Sequence, residues 1–176
     1  MIEPPKLPTP WMERDWSRWS QSVQSHSLLD QLNDFPQVVA DLILPLDQNE
    51  LQKSGENTWS IQEHVGHLLA MESLWIARLD DFVLNRSVLR PWNGHNKDVR
   101  AAQFNQQKIK AICRDFAEVR SAMVTFTKEL MQTGQSFVAF HEGQNRDFSL
   151  NDQVAFIAEH DAHHLQIIQY LIHANQ

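Results

Sequence analysis

One cysteine, one tyrosine and five glycines stand in a chain of 176 residues. The lone Cys113 excludes an intramolecular disulfide and any metal cluster built on several thiolates. It falls inside a helical pattern, where a buried and inert thiol is the expected role. So few glycines argue against a fibrous chain. Clusters of cations are also missing: Lys and Arg number 15 against 22 acidic residues, for a formal charge of -7. A surface for nucleic acid needs grouped cations to displace counterions from phosphates, so nucleic acid is not an expected partner. No run approaches the roughly 18 apolar residues of a membrane span, and Met1-Ile2-Glu3-Pro4-Pro5-Lys6 lacks the basic start and apolar stretch of a signal peptide. These absences predict a soluble, cytoplasmic protein with no membrane partner.

What is present is helical. Hydrophobic residues make up 42% of the chain, enough for one domain with a single core. Residues 1–12 are rich in Pro and read as an extended arm, and Trp16, Trp19 and Val23 then suggest a short helix. Leu28, Leu29, Leu32, Phe35, Val38, Val39, Leu42 and Ile43 recur at three- and four-residue steps, with a kink or break expected at Pro36. Ser60 and Glu63 form a capping box that opens a second long helix, to about Asn85. Residues 86–102 read as a loop, and a third helix is expected from about Ala102 to Met131, with Gly134 as terminator. Phe137, Val138, Ala139 and Phe140 form a short apolar run with no evident strand partner. Ser149 and Asp152 make a second capping box, opening a last helix to about His173. The expected fold is all-α: an antiparallel four-helix bundle over 25–176, preceded by an arm and short helix over 1–24.

Nine histidines are distributed unevenly. At about 100° per residue, positions four apart point within about 40° of each other, so His160 and His164 share the face of Ile157, Ile168 and Leu171. Such an inward pair serves either as metal ligands or as satisfied core residues. His163 lies about 60° from His160 and reads as a neighbour of the pair or a surface residue. On the second helix His67 keeps register with Met71 and Leu74; His64 competes with it, and spacing alone does not separate them. Gly66 beside His67 permits close approach of a neighbour. His26, His141 and His173 read as solvated, and His95 lies in the loop beside Trp92. Trp75 and Trp92 are at home either in the core or on the wall of a pocket. Three imidazoles from two helices describe a catalytic rather than a structural site. Zn²⁺ suits three nitrogens, and Ni²⁺, Fe²⁺ and Mn²⁺ are compatible.

The segment Trp59-Ser60-Ile61-Gln62-Glu63-His64-Val65-Gly66-His67-Leu68, with His160, His163 and His164 about ninety residues later, resembles the DinB/YfiT-like superfamily of metal-binding four-helix bundles. The resemblance covers roughly residues 27–173 and implies His67, His160 and His164 as metal ligands. The family's closing motif often continues Arg-Gly-Gln-Ile; Leu165-Gln166-Ile167 stands here instead, one residue short. Some members are S-transferases that use bacillithiol, mycothiol or glutathione, and others are isomerases.

The function expected on this basis is metal-dependent transfer of a low-molecular-weight thiol to an electrophilic small molecule, with Glu63 or His163 relaying protons. The alternatives are a hydrolase using metal-activated water and a non-catalytic, stress-related metal-binding protein. Trp11, Trp16 and Trp19 give the arm more apolar surface than a solvated tail exposes, so the arm is expected to lie across the bundle or against a second copy, as a homodimer.

Overall fold

Capping side chains set where two of the four long helices begin. In the computed structural model, which describes residues 5–14, 25–55, 58–92, 99 and 101–175, Ser60 Oγ accepts from Glu63 N at 3.1 Å. Ser60 N in turn donates to Glu63 Oε2 at 2.8 Å. Two orphan amides of the first turn are satisfied reciprocally. Ser149 and Asp152 repeat the arrangement, and Asp47 with Glu50 adds a third box that opens a one-turn helix.

The helices are α1 (Ser25–Ile43), α2 (Gln48–Gln52), α3 (Ile61–Val83), α4 (Ile109–Gln132) and α5 (Leu150–Ala174), with β1 (Val138–His141) and β2 (Arg146–Ser149) between the last two. The four long ones form the expected four-helix bundle, antiparallel in the pairs α1 with α4 and α3 with α5. No helix among the described residues is long and apolar enough to cross a membrane. The helix expected around Trp16, Trp19 and Val23 lies outside the described residues, as does His95; the preceding Trp11–Glu13 is a single 3₁₀ turn.

α1 and α3 sit on opposite sides, each flanked by α4 and α5. Contacts fix the directions. His64 meets His164 and His67 meets His160, so α3 and α5 are antiparallel. Asp30 meets Lys128 and Phe35 meets Phe116, so α1 and α4 are antiparallel too. α3 and α4, by contrast, run the same way: Gln62 bonds the Gln107 carbonyl at their starts and Glu72 meets Arg120 midway. The connection between them therefore travels back along the bundle. On the way Val88 bridges Phe140 beside β1, and Phe104 returns to cover Gly66.

Three expectations are corrected. The break at Pro36 does not occur, and α1 runs through it. Pro36 has no amide hydrogen to give the Leu32 carbonyl, and Arg120 Nη1 donates to that oxygen instead, at 3.2 Å. The third long helix begins at Ile109 rather than near Ala102, because Phe104 is drawn into a 3₁₀ turn against α3. The apolar run at Phe137–Phe140 does have a partner: β1 pairs antiparallel with β2, Val138 opposite Ser149 and His141 opposite Arg146. Gly134 ends α4 as expected, at φ +68°.

The core is divided. One apolar cluster gathers Leu29, Leu32, Trp75, Leu79, Phe82, Met123 and Ile157, and the other gathers Val39, Ile43, Ile61, Leu68, Phe116 and Ile168. Between them each long helix contributes something polar: the Leu32 carbonyl, Glu72, Arg120 and Asp161, all buried. Cys113 lies in the second cluster, where burial pushes its thiol up to about 11.

Gly66 marks a close approach. A Cβ there would run into the ring of Phe104. Gly to Ala in a helix ordinarily stabilises by about 0.5–1 kcal/mol, but this clash forces an aromatic ring to move. We expect Gly66→Ala to destabilise by about 1–3 kcal/mol, the usual cost of overpacking. Urea unfolding checks it; a gain in stability would show that Phe104 yields freely.

Candidate metal centre

The site grows from two helices held antiparallel. α5 places His160 and His164 one turn apart on its inner face, and α3 turns His67 towards them. His67 Nε2 lies 3.3 Å from His160 Nε2. One nitrogen from each of His67, His160 and His164 can be chosen so that all lie within 4.8 Å of one another. Among the described residues these three are the only group of histidine, cysteine and acidic side chains so disposed. His64, one turn before His67, sets its Nδ1 3.0 Å from Nδ1 of His164. His67 is thus the α3 histidine that joins the cluster, while His64 abuts its edge.

All four rings are buried. Loss of hydration, reinforced by the neighbouring histidines, holds His67 and His164 well below the ordinary imidazole range. Burial likewise lowers His64 to about 3. At neutral pH His67 and His164 are therefore uncharged and each keeps a lone pair, the form in which imidazole ligates a metal.

Aromatic rings wall the cluster. Trp59 lies 4.8 Å from His67 and stacks on His164 at 6.2 Å, between ring centroids. Trp75 stands edge-on to His160 at 5.5 Å and is itself a core residue. From the arm, Trp11 packs edge-on against His160 at 5.2 Å, and Arg14 pairs with Glu159. The arm thus lies across its own bundle at this point. Beside His67 a cavity of about 400 Å³ is bounded by Trp59, Leu74, Arg90, Trp92 and Phe104. Trp92 is a wall residue there, and Arg90 is tied to Asp81 by two side-chain bonds.

The DinB superfamily model matches residues 13–168 of this sequence. The chain belongs to the DinB superfamily. Among solved structures, YfiT from Bacillus subtilis superposes with a TM-score of 0.73 over 86% of this chain and 89% of that one, at 13% identity. YfiT is described as a probable metal-dependent hydrolase with an unusual four-helix bundle topology; at that identity the likeness is one of fold. No curated protein matches the chain.

Set against the DinB pattern, the remaining expected site residues fall in different places. His163 is not a surface residue: it is buried, 5.6 Å from Trp11 and 5.2 Å from His164, with Nδ1 lacking a hydrogen-bond partner. Burial, first, and then His160 lower it to about 4. The Glu63 carboxylate is engaged in the α3 cap. Gln166 and His173 are exposed. His141, expected to be solvated, is buried 4.5 Å from Phe148 and lowered to about 4 by burial and then by Arg78. The side chain of His26 lies outside the described residues.

Sequence reasoning missed the charges behind the histidines. Arg120 donates to Glu72 Oε1 through Nε at 3.0 Å and Nη2 at 2.6 Å, and to Asp161 Oδ2 through Nη1 at 2.5 Å. Burial raises Glu72 to about 7, with Arg120 opposing the shift. A signal was available: each of these charges sits on an apolar stripe, Glu72 between Leu68 and Trp75, Arg120 between Phe116 and Met123, Asp161 four residues after Ile157.

Proposed function

We propose that this DinB protein is a metal-dependent enzyme whose His67, His160 and His164 hold one divalent ion, and that it transfers a low-molecular-weight thiol to an electrophilic small molecule. The observation that carries this reading is the convergence of three buried imidazoles beside a cavity large enough for a small substrate. The donor set fits the ion: three nitrogens are the protein share of a catalytic zinc site, and His67 and His164 are in the ligating, neutral form. Zn²⁺ or Ni²⁺ suits such nitrogens best. A divalent ion held there supplies Lewis acidity, which lowers the pKa of a thiol or a water.

The chain's own residues do the rest. Trp59, Leu74, Trp92 and Phe104 receive the apolar part of the substrate and keep water away from His67. Holding the reactants together contributes rate by sparing them the entropy of encounter. His163, with Nδ1 free of partners and its ring beside His164, is the group assigned to proton transfer. Glu63 serves by fixing the start of the helix that carries His67.

A second reading, hydrolysis, is favoured by the description of YfiT as a probable metal-dependent hydrolase. One screen separates the two. Protein loaded with Zn²⁺ or Ni²⁺ is assayed with glutathione, bacillithiol, mycothiol and coenzyme A against several electrophiles, and in parallel against esters and amides. Metal-dependent conjugation is expected, lost on chelation. Conjugation no faster than the uncatalysed rate, together with ester or amide cleavage, would replace transfer by hydrolysis. Inactivity in both arms, with metal bound, would leave a non-catalytic metal protein.

A further inference from the structure

His160 turns Nε2 towards His67, and its other nitrogen, Nδ1, is buried without a hydrogen-bond partner. Asp161 Oδ1 lies 3.9 Å from that Nδ1. A shift of about 1 Å would bring the two to ordinary hydrogen-bond distance. Asp161 is held where it is by the Arg120 fork, Nη1 to Oδ2 at 2.5 Å and Nη2 to Oδ1 at 3.3 Å. Arg120 is in turn fixed on three further sides: by Glu72, by the Leu32 carbonyl that Pro36 leaves unbonded, and by the face of Phe116, 5.0 Å from the guanidinium.

Stability does not account for this arrangement. Removing one arginine and two carboxylates from water is costly, and well-packed apolar residues commonly do as well or better. What apolar residues cannot do is choose a tautomer. A histidine that offers Nε2 to an ion must carry its proton on Nδ1, and a carboxylate on that side fixes both the proton and the ring orientation. We infer that Arg120 and Asp161 position His160: Arg120, braced by Glu72 and Leu32, aims Asp161 at Nδ1 and holds His160 as the Nδ1–H tautomer, with Nε2 presented to the cluster. The inference rests on the reading of the three histidines as a metal centre, and it makes Asp161 and Arg120 positioning residues rather than groups that touch substrate.

Two measurements test it. In metal-free, ¹⁵N-histidine-labelled protein, long-range proton–nitrogen correlation should show His160 protonated at Nδ1, with that preference lost in Asp161→Asn. Zn²⁺ affinity by competition with a chromophoric chelator should fall about 10–100-fold in Asp161→Asn, the usual cost of losing a partner behind a ligand. Glu72→Gln, which keeps an acceptor for Arg120 and leaves Asp161 in place, should lose less affinity than Asp161→Asn. Circular dichroism accompanies each variant. Wild-type His160 protonated at Nε2, an unchanged affinity in Asp161→Asn, or an equal fall in Glu72→Gln would each overturn the inference. Wild-type protein that takes up no ion would overturn the metal reading, while the tautomer measurement, which needs no ion, still decides the positioning.

Discussion

Replacing His164 by alanine should take the purified protein from about one bound divalent ion per chain to none, as judged by elemental analysis after dialysis. The ring is central to the cluster, 4.7 Å from His67 and 4.6 Å from His160 between centroids. Its loss leaves two imidazoles, and the effect should exceed the roughly 10–100-fold that follows loss of an outer hydrogen-bond partner. His67→Ala and His160→Ala should behave alike. His64→Ala should retain most of the metal, because His64 touches the cluster only through His164. Retention in His67→Ala with loss in His64→Ala would move the site by one helical turn.

Acid should unfold the metal-stripped protein well before it unfolds a domain whose histidines are exposed. In the unfolded chain these side chains titrate near 6.5. In the folded protein His67 and His164 lie well below that, His64 near 3, and His141 and His163 near 4. Below about 6.5 the unfolded chain binds protons that the folded one refuses, so stability is full above that value and falls as pH drops. The fall continues down to the folded values, with a limiting slope of about 1.4 kcal/mol per pH unit for each of the deeply buried His64, His67 and His164. Glu72 acts in the opposite sense. Its folded value of about 7 exceeds the ordinary 4.5, so its stabilising share is present in acid and declines as pH rises between the two. One group against five does not reverse the trend. Summed, these slopes rival the whole stability of an ordinary domain within about two pH units. Urea midpoints measured between pH 7.5 and 5 in the presence of a chelator check this; a flat profile would mean that the histidines are solvated.

The parts of this molecule legible in its sequence are those decided locally. Ser60 with Glu63 and Ser149 with Asp152 announced two helix starts, because a capping box involves residues only three apart. His160 and His164 were readable as a pair because one helical turn brings them together. His64 and His67 could not be told apart from spacing, since both face inward and only the position of α5 decides between them. The β1–β2 hairpin was missed because Arg146 and Asp147 look unlike a strand, and its turn uses Asn145 at φ 48° where a glycine would have been a signal. Arg120 was missed for a different reason. Charges in an amphipathic pattern are assigned to the solvent side, and three charges on three stripes become one buried cluster only once the helices are assembled.

The direction of the helices has a consequence for how the chain acquires its structure. Long helices adjacent in sequence do not pair as hairpins here: α1 faces α3, and α4 faces α5, across the diagonals, and α3 and α4 run the same way. The antiparallel pairs are closed instead by contacts such as Asp30 with Lys128, 98 residues apart, and His64 with His164, 100 apart. The entropy of closing those long loops must be met before the pairs that reward it can form. This bundle therefore lacks the local shortcut that lets up-and-down helical proteins fold quickly. Its rate should instead be governed by long-range encounter, more like that of a mixed or β protein than its helix content suggests.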